Sequence, residues 1–157
     1  MGVSDQGFRI SNRYKITFVC DLAALPKSFR LEAMTRRVPP LLYIGKADVI
    51  LYTRVWEEEC QHKRPGTFFR SVGAMLGYRS PRGGKNYQFA PQDKERVVKW
   101  IRDHLLVTWD CTPVEGSHAT SEKVLIGHFM PLLNIQHSPR KFRELEDLRA
   151  ICRAGEA

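Results

Sequence analysis

Apolar positions along this chain recur with two different periods, and the switches between them divide it into elements. Lys15 to Cys20 is a run of β-branched and aromatic residues suited to a strand. Leu41 to Gly45 is a second short apolar run, bounded by Pro39-Pro40 and by the glycine. From Asp48 the period becomes helical: Leu51 pairs with Val55 and Tyr52 with Trp56, which predicts a helix to about His62, ended before Pro65-Gly66. A second helix is predicted from Thr67, as its cap, to Tyr78, with Phe68, Phe69, Val72, Met75 and Leu76 on a broad apolar stripe. Arg79 to Lys85 holds a proline, two glycines and several cations, and reads as a loop. Pro91 opens a helix in which Val97, Ile101 and Leu105 share a face. Leu106 to Asp110 alternates Val107 and Trp109 with polar neighbours, a third strand. A helix from Ala119 to Met130, stopped by Pro131, follows. The last helix, about 138–153, is expected to start with Ser138 as cap and Pro139 in its first turn, with Phe142, Leu145, Leu148 and Ile151 on one side.

These elements amount to an α/β (α+β) fold: a small, mostly antiparallel three-stranded sheet flanked by helices. With 157 residues there is material for one hydrophobic core, hence one domain over 1–157. A composition of 43% hydrophobic and 27% charged residues excludes a disordered or fibrous chain. Lys and Arg number 25 against 17 Asp and Glu, a formal charge of +8, which favours a polyanionic partner through counterion release. The four cysteines have no zinc-type or CxxC spacing and read as free buried thiols of a reducing compartment. No stretch approaches eighteen apolar residues and no signal segment is visible, so a cytoplasmic protein without a membrane span is expected.

Three residues stand out as chemistry. Tyr43, in the second predicted strand, shares a face with Leu41 and Gly45, so its hydroxyl can project past a small residue into a cleft. A core tyrosine satisfied locally is the alternative. Arg54 lies in a largely apolar helix and suits a phosphate, or it pairs with Glu58 four residues on. Glu122 precedes Leu125, Ile126 and Phe129 by three, four and seven residues, which puts a carboxylate on the buried stripe of its helix. Residue 119 is Ala, so a capping box is excluded, while a carboxylate favoured by the helix N-terminus remains open.

Taken together, Leu42-Tyr43-Ile44-Gly45-Lys46-Ala47, Leu51-x-x-Arg54, and Glu122-x-x-Leu125-Ile126-x(4)-Pro131-x-x-Asn134 resemble the GIY-YIG endonuclease superfamily in order and approximate separation, over a core of about 15–135. The resemblance implies a divalent-metal-dependent endonuclease acting on DNA. Glu122 would bind Mg²⁺ or Mn²⁺, Arg54 would stabilise the charge of phosphoryl transfer, and Tyr43 would orient or activate the attacking water. Gly45 and Asn134 would support them. His62, two turns beyond Arg54, is a candidate general base, since the position one turn after the arginine is Glu58. Lys46, Lys63, Arg64, Arg79, Arg82 and Lys85 are the expected phosphate contacts, with Arg36-Arg37 and Arg140-Lys141 flanking the cleft, and Phe68, Phe69, Tyr78 or Tyr87 placed to stack on bases if not in the core. The family's first motif strand carries a tyrosine of its own. Aligned on Pro26 to Leu31, that position is Phe29; aligned on Tyr14 to Cys20, a long insertion precedes Tyr43. Either alignment leaves a second possibility, a catalytically impaired nucleic-acid-binding module of the same fold.

Overall fold

A computed structural model describes residues 14–47, 60, 66–110 and 118–156. Among them are three strands, β1 (Tyr14–Cys20), β2 (Leu41–Ala47) and β3 (Leu105–Asp110), in one antiparallel sheet of order β2-β1-β3. Five helices surround it: α1 (Lys27–Met34), α2 (Thr67–Met75), α3 (Pro91–His104), α4 (His118–Phe129) and α5 (Arg143–Ala154). The expected fold class is the observed one. The expected helix 48–62 falls outside the described residues except for Cys60, which is buried.

The sheet is covered on both faces, and one irregularity decides which side chains go where. Phe18 pairs with Tyr43, yet its neighbour Val19 pairs with Leu41, so β2 carries an extra residue opposite the Phe18–Val19 step. Such a bulge turns two consecutive side chains to one side. Leu42 and Tyr43 accordingly both enter the main core, with Ile16, Phe18 and Cys20. Leu41 and Ile44 both face the other way, into a smaller cluster with Ile126 of α4 and the partly buried Val19, Val38, Leu125 and Phe129. The expectation that Tyr43 shares a face with Leu41 is therefore corrected: simple alternation holds only on the Gly45 side of the bulge.

Helix α2 is buried from Phe68 to Met75, as befits a helix apolar on nearly all sides. It packs against α5 and α3. Its N-cap is Gly66 rather than Thr67, which is the first helical residue, and it ends at Met75, before Gly77 at φ 89. Gly73 is required by packing, since a Cβ there would lie 2.2 Å from Cε2 of Phe89. Pro91 opens α3 as expected, and Val97 and Ile101 are its buried positions. At the last helix the expectation fails: α5 starts at Arg143, and Ser138 instead closes a local turn, its Oγ donating to the Arg140 carbonyl at 3.0 Å and accepting from the Arg140 N–H at 3.3 Å.

Residues 21–40, between β1 and β2, hold a 3-10 turn and α1. Only Phe29 and Ala33 of α1 are buried, while Leu31 and Met34 stay exposed on its other side, so the two-turn stripe is masked in the sequence by apolar residues facing water. The insertion is tied down by Arg36, which is 6% exposed. Its Nη1 donates to the Met130 and Arg140 carbonyls at 3.3 and 2.6 Å, and its Nη2 meets Glu32 Oε1 at 2.8 Å. Arg140 reaches the same Glu32 oxygen at 3.1 Å. Arg36 thus belongs to an internal network and does not flank a cleft. Arg70 and Arg149 are buried too, Arg149 Nη1 donating to Ser71 Oγ at 3.4 Å and Arg70 lying 5.7 Å from the Tyr87 ring centre.

Candidate active site

Strand β2 is an edge strand; Tyr43, Gly45 and Lys46 lie in it, and Glu122 lies in the helix docked against it. The Tyr43 ring packs edge-on to Phe18, centroids 6.1 Å apart, and lies 5.1 Å from Phe68. It leans along the strand toward Gly45: a Cβ on that residue would stand 2.9 Å from Tyr43 Cε1. A side chain at 45 would occupy the space of the ring, which is the physical need for glycine there. Tyr43 as a whole is 7% exposed, so any reaction at its hydroxyl takes place at the margin of the main core.

Helix α4 docks on the opposite face of β2, Ile126 against Leu41 and Ile44. After the helix the chain turns and runs along the free edge of β2. The Leu132 N–H donates to the Leu41 carbonyl at 3.3 Å, and the Leu133 N–H to that of Leu42 at 2.8 Å. Asn134 finishes the row with its side chain: Oδ1 accepts from the Ile44 N–H and Nδ2 donates to the Ile44 carbonyl, both at 2.9 Å. A buried amide here mimics one more residue of strand and closes an edge that would otherwise carry unpaired backbone groups.

The same contacts fix the place of α4. Its C-terminal end is held near Leu41, and Glu122 lies one turn before Ile126, which packs with Leu41 and Ile44. Glu122 is half-buried, and Tyr43 leans toward Gly45 on the face of β2 opposite α4. Lys46, half-buried in β2, pairs in register with Lys15 of β1.

Other expected site residues lie elsewhere or outside the description. Arg54, His62, Lys63 and Arg64 are outside the described residues. The loop of Arg79, Arg82 and Lys85 follows the C-terminal end of α2, whereas Phe68, which touches Tyr43, is at its N-terminal end. The helix from Phe68 to Met75 separates the two by about 10 Å. The loop is pinned to the end of α5: the Gly84 N–H donates to the Arg153 carbonyl at 2.7 Å and the Glu156 N–H to that of Ser80 at 3.0 Å. Arg82 and Lys85 are exposed, and Arg79 Nη1 donates to the Tyr78 carbonyl at 3.1 Å. Phe68, Phe69 and Tyr87 are core residues and Tyr78 is half-buried.

The register also decides between the two alignments of the first motif strand. Phe29 is in α1, not in a strand. The strand paired with β2 is β1, and the residue opposite Tyr43 is Phe18, 1% exposed and stacked on Phe68 at 4.1 Å. No spacing rule in the sequence reveals Phe18, because the insertion of residues 21–40 hides the pairing. The family of the GIY-YIG catalytic domain matches residues 12–151, from the start of β1 into α5. The chain belongs to the GIY-YIG family. No curated protein and no solved structure matches it. Membership gives this domain a nuclease-type function on a nucleic-acid substrate. The β1–β2 pair of this GIY-YIG domain thus sets a phenylalanine, Phe18, opposite Tyr43, while the one tyrosine of β1, Tyr14, pairs with Ala47 at the far end of the strand.

Proposed function

We propose that this GIY-YIG domain is an endonuclease that hydrolyses phosphodiester bonds in DNA with a divalent metal ion. The observation that supports the proposal is the leaning of Tyr43 over Gly45 on a strand whose other face packs against α4, the helix that carries Glu122. Tyrosine hydroxyl and carboxylate, remote in sequence, are attached to one strand from its two faces.

Among the described residues no three His, Cys, Asp or Glu side chains gather. A single carboxylate fits Mg²⁺ or Mn²⁺ in the mode in which water and substrate phosphate oxygens complete the shell. Glu122 is the residue that would hold the ion, which supplies charge neutralisation at the phosphate and a more acidic bound water. Tyr43 would position the nucleophile through its hydroxyl, its ring held by Phe18 and Phe68. Arg54 is assigned the charge that grows on the phosphate in the transition state, and His62 the proton of the attacking water. Lys46, Lys63, Arg64 and the more distant Arg79, Arg82 and Lys85 would hold flanking phosphates.

Purified protein is expected to cut DNA with Mg²⁺ or Mn²⁺, and EDTA or Glu122→Ala to abolish cutting while leaving the fold intact by circular dichroism. Undiminished cutting by Glu122→Ala removes the assignment. One observation favours a second reading, a nucleic-acid-binding module with impaired catalysis: the ring opposite Tyr43 belongs to Phe18 and has no hydroxyl. That reading predicts salt-dependent binding without cleavage under any divalent ion.

A further inference from the structure

Across the sheet, Gly45 pairs with Ile16 and Ile16 with Trp109, so these three residues form one row and face the same side as Tyr43. Ile16 is 1% exposed, but Trp109 is 61% exposed. No ring of another described residue packs on it. Because the Tyr43 ring leans into this row over Gly45, the indole and the phenol are about two strand spacings apart, roughly 10 Å. We infer that Trp109 is a stacking platform for an unpaired base of the nucleic-acid strand cut at Tyr43, a reading that rests on the proposed nuclease function.

A large aromatic left in water on an edge strand needs an occupant or an exemption. Isolated exposed apolar residues are common, yet this one has three marks of a base contact. Its neighbours Thr108 and Asp110 are exposed and polar, and the next large apolar residue, Leu106, is on the other face of β3. A lone ring in polar surroundings suits a base, which offers one π-face, better than a second protein, which needs a contiguous apolar patch. The chain has a formal charge of +8, which draws a polyanion to it as a whole, while Lys15, 3.9 Å from Asp110, and Lys46 pair in the adjacent row on the other face of the sheet. Finally, 10 Å is about three rises of 3.4 Å along a stacked strand, a spacing that lets a base on Trp109 and a phosphate at Tyr43 belong to one strand passing around the buried Ile16.

The test compares wild type, Trp109→Ala and Trp109→Phe on a labelled panel of single-stranded, duplex and flapped DNA, read as affinity and as single-turnover cutting. Loss of one stacked base raises Kd by roughly 5- to 150-fold in Trp109→Ala. The cleavage rate at saturation stays within about two-fold, as for uniform binding, and Trp109→Phe recovers most of the affinity. One abasic nucleotide within about three positions of the cut reproduces the loss in wild type and adds nothing in Trp109→Ala. Equal affinity of Trp109→Ala and wild type, or a flat abasic scan, overturns the inference alone. A dimer that dissociates in Trp109→Ala with unchanged DNA affinity also overturns it, assigning the ring to a second copy of the chain. Wild type that binds without cutting removes the nuclease reading and leaves the stacking readable by affinity; wild type that binds no nucleic acid overturns both.

Discussion

Replacing Asn134 by alanine should be among the most damaging single changes in this domain, although Asn134 is neither apolar nor part of a regular element. The side chain is 5% exposed and its two hydrogen bonds, both 2.9 Å, satisfy the N–H and carbonyl of Ile44 on the free edge of β2. Alanine leaves a donor and an acceptor buried without partners, at about 1–3 kcal/mol each. A water entering the vacated space would recover part of this, so about 2–4 kcal/mol is expected. At about 2–4 °C per kcal/mol for a chain of this size, the melting temperature should fall by roughly 5–15 °C. Asn134→Asp is the sharper probe. Its carboxylate still accepts from the Ile44 N–H, but it faces the Ile44 carbonyl with an oxygen and must hold a proton to donate there. The folded carboxyl is therefore raised above its ordinary value near 3.9. Its contribution is complete below about pH 4 and is lost as pH rises through the folded pKa. Urea unfolding followed by far-ultraviolet circular dichroism at several pH values measures both variants. A loss below about 0.5 kcal/mol in Asn134→Ala, the range of an ordinary surface change, refutes the edge-closing argument.

Gly45→Ala should displace the Tyr43 ring, since the new Cβ would meet Cε1 at 2.9 Å; about 1–3 kcal/mol of stability and roughly 100-fold in cleavage rate should be lost, measured by unfolding and single-turnover cutting. Arg36→Met should cost about 2–3 kcal/mol by breaking the contacts to Glu32, Met130 and Arg140. It should leave the salt dependence of DNA binding unchanged, whereas Arg82→Ala or Lys85→Ala lowers that slope by about one if each meets a phosphate. Burial, with Asp21 adding to it, pushes the Cys20 thiol up from 9.0 to about 12. The folded state keeps this proton longer than the unfolded one, so the contribution is complete below about pH 9 and is lost between pH 9 and about 12. Burial raises Cys152 and Tyr87 in the same direction. Alkaline unfolding curves and the absence of iodoacetamide labelling of native Cys20 near pH 8 check this.

Features of this protein that depend on near neighbours were legible along the chain. The period of apolar residues was enough for the three strands and for α2, α3 and α4, because amphipathic patterns report which face of an element is buried. The order of the motif residues Tyr43, Gly45, Glu122 and Asn134 was enough to name the family. That legibility ended wherever a residue's meaning depends on a partner far along the chain. Helix α1 was invisible because Leu31 and Met34 face water opposite Phe29 and Ala33. Ser138 had the form of a cap and makes a turn, since a hydroxyl serves either use and the surrounding chain chooses. Three arginines counted toward a basic surface, Arg36, Arg70 and Arg149, are internal. The remainder came from long-range pairing: a bulge sends Leu41 away from Tyr43, Phe18 faces it, Asn134 closes the strand edge, and Trp109 stands exposed in the row of Gly45. Each is a matter of register, and register is set by pairing between segments whose contact no local pattern records.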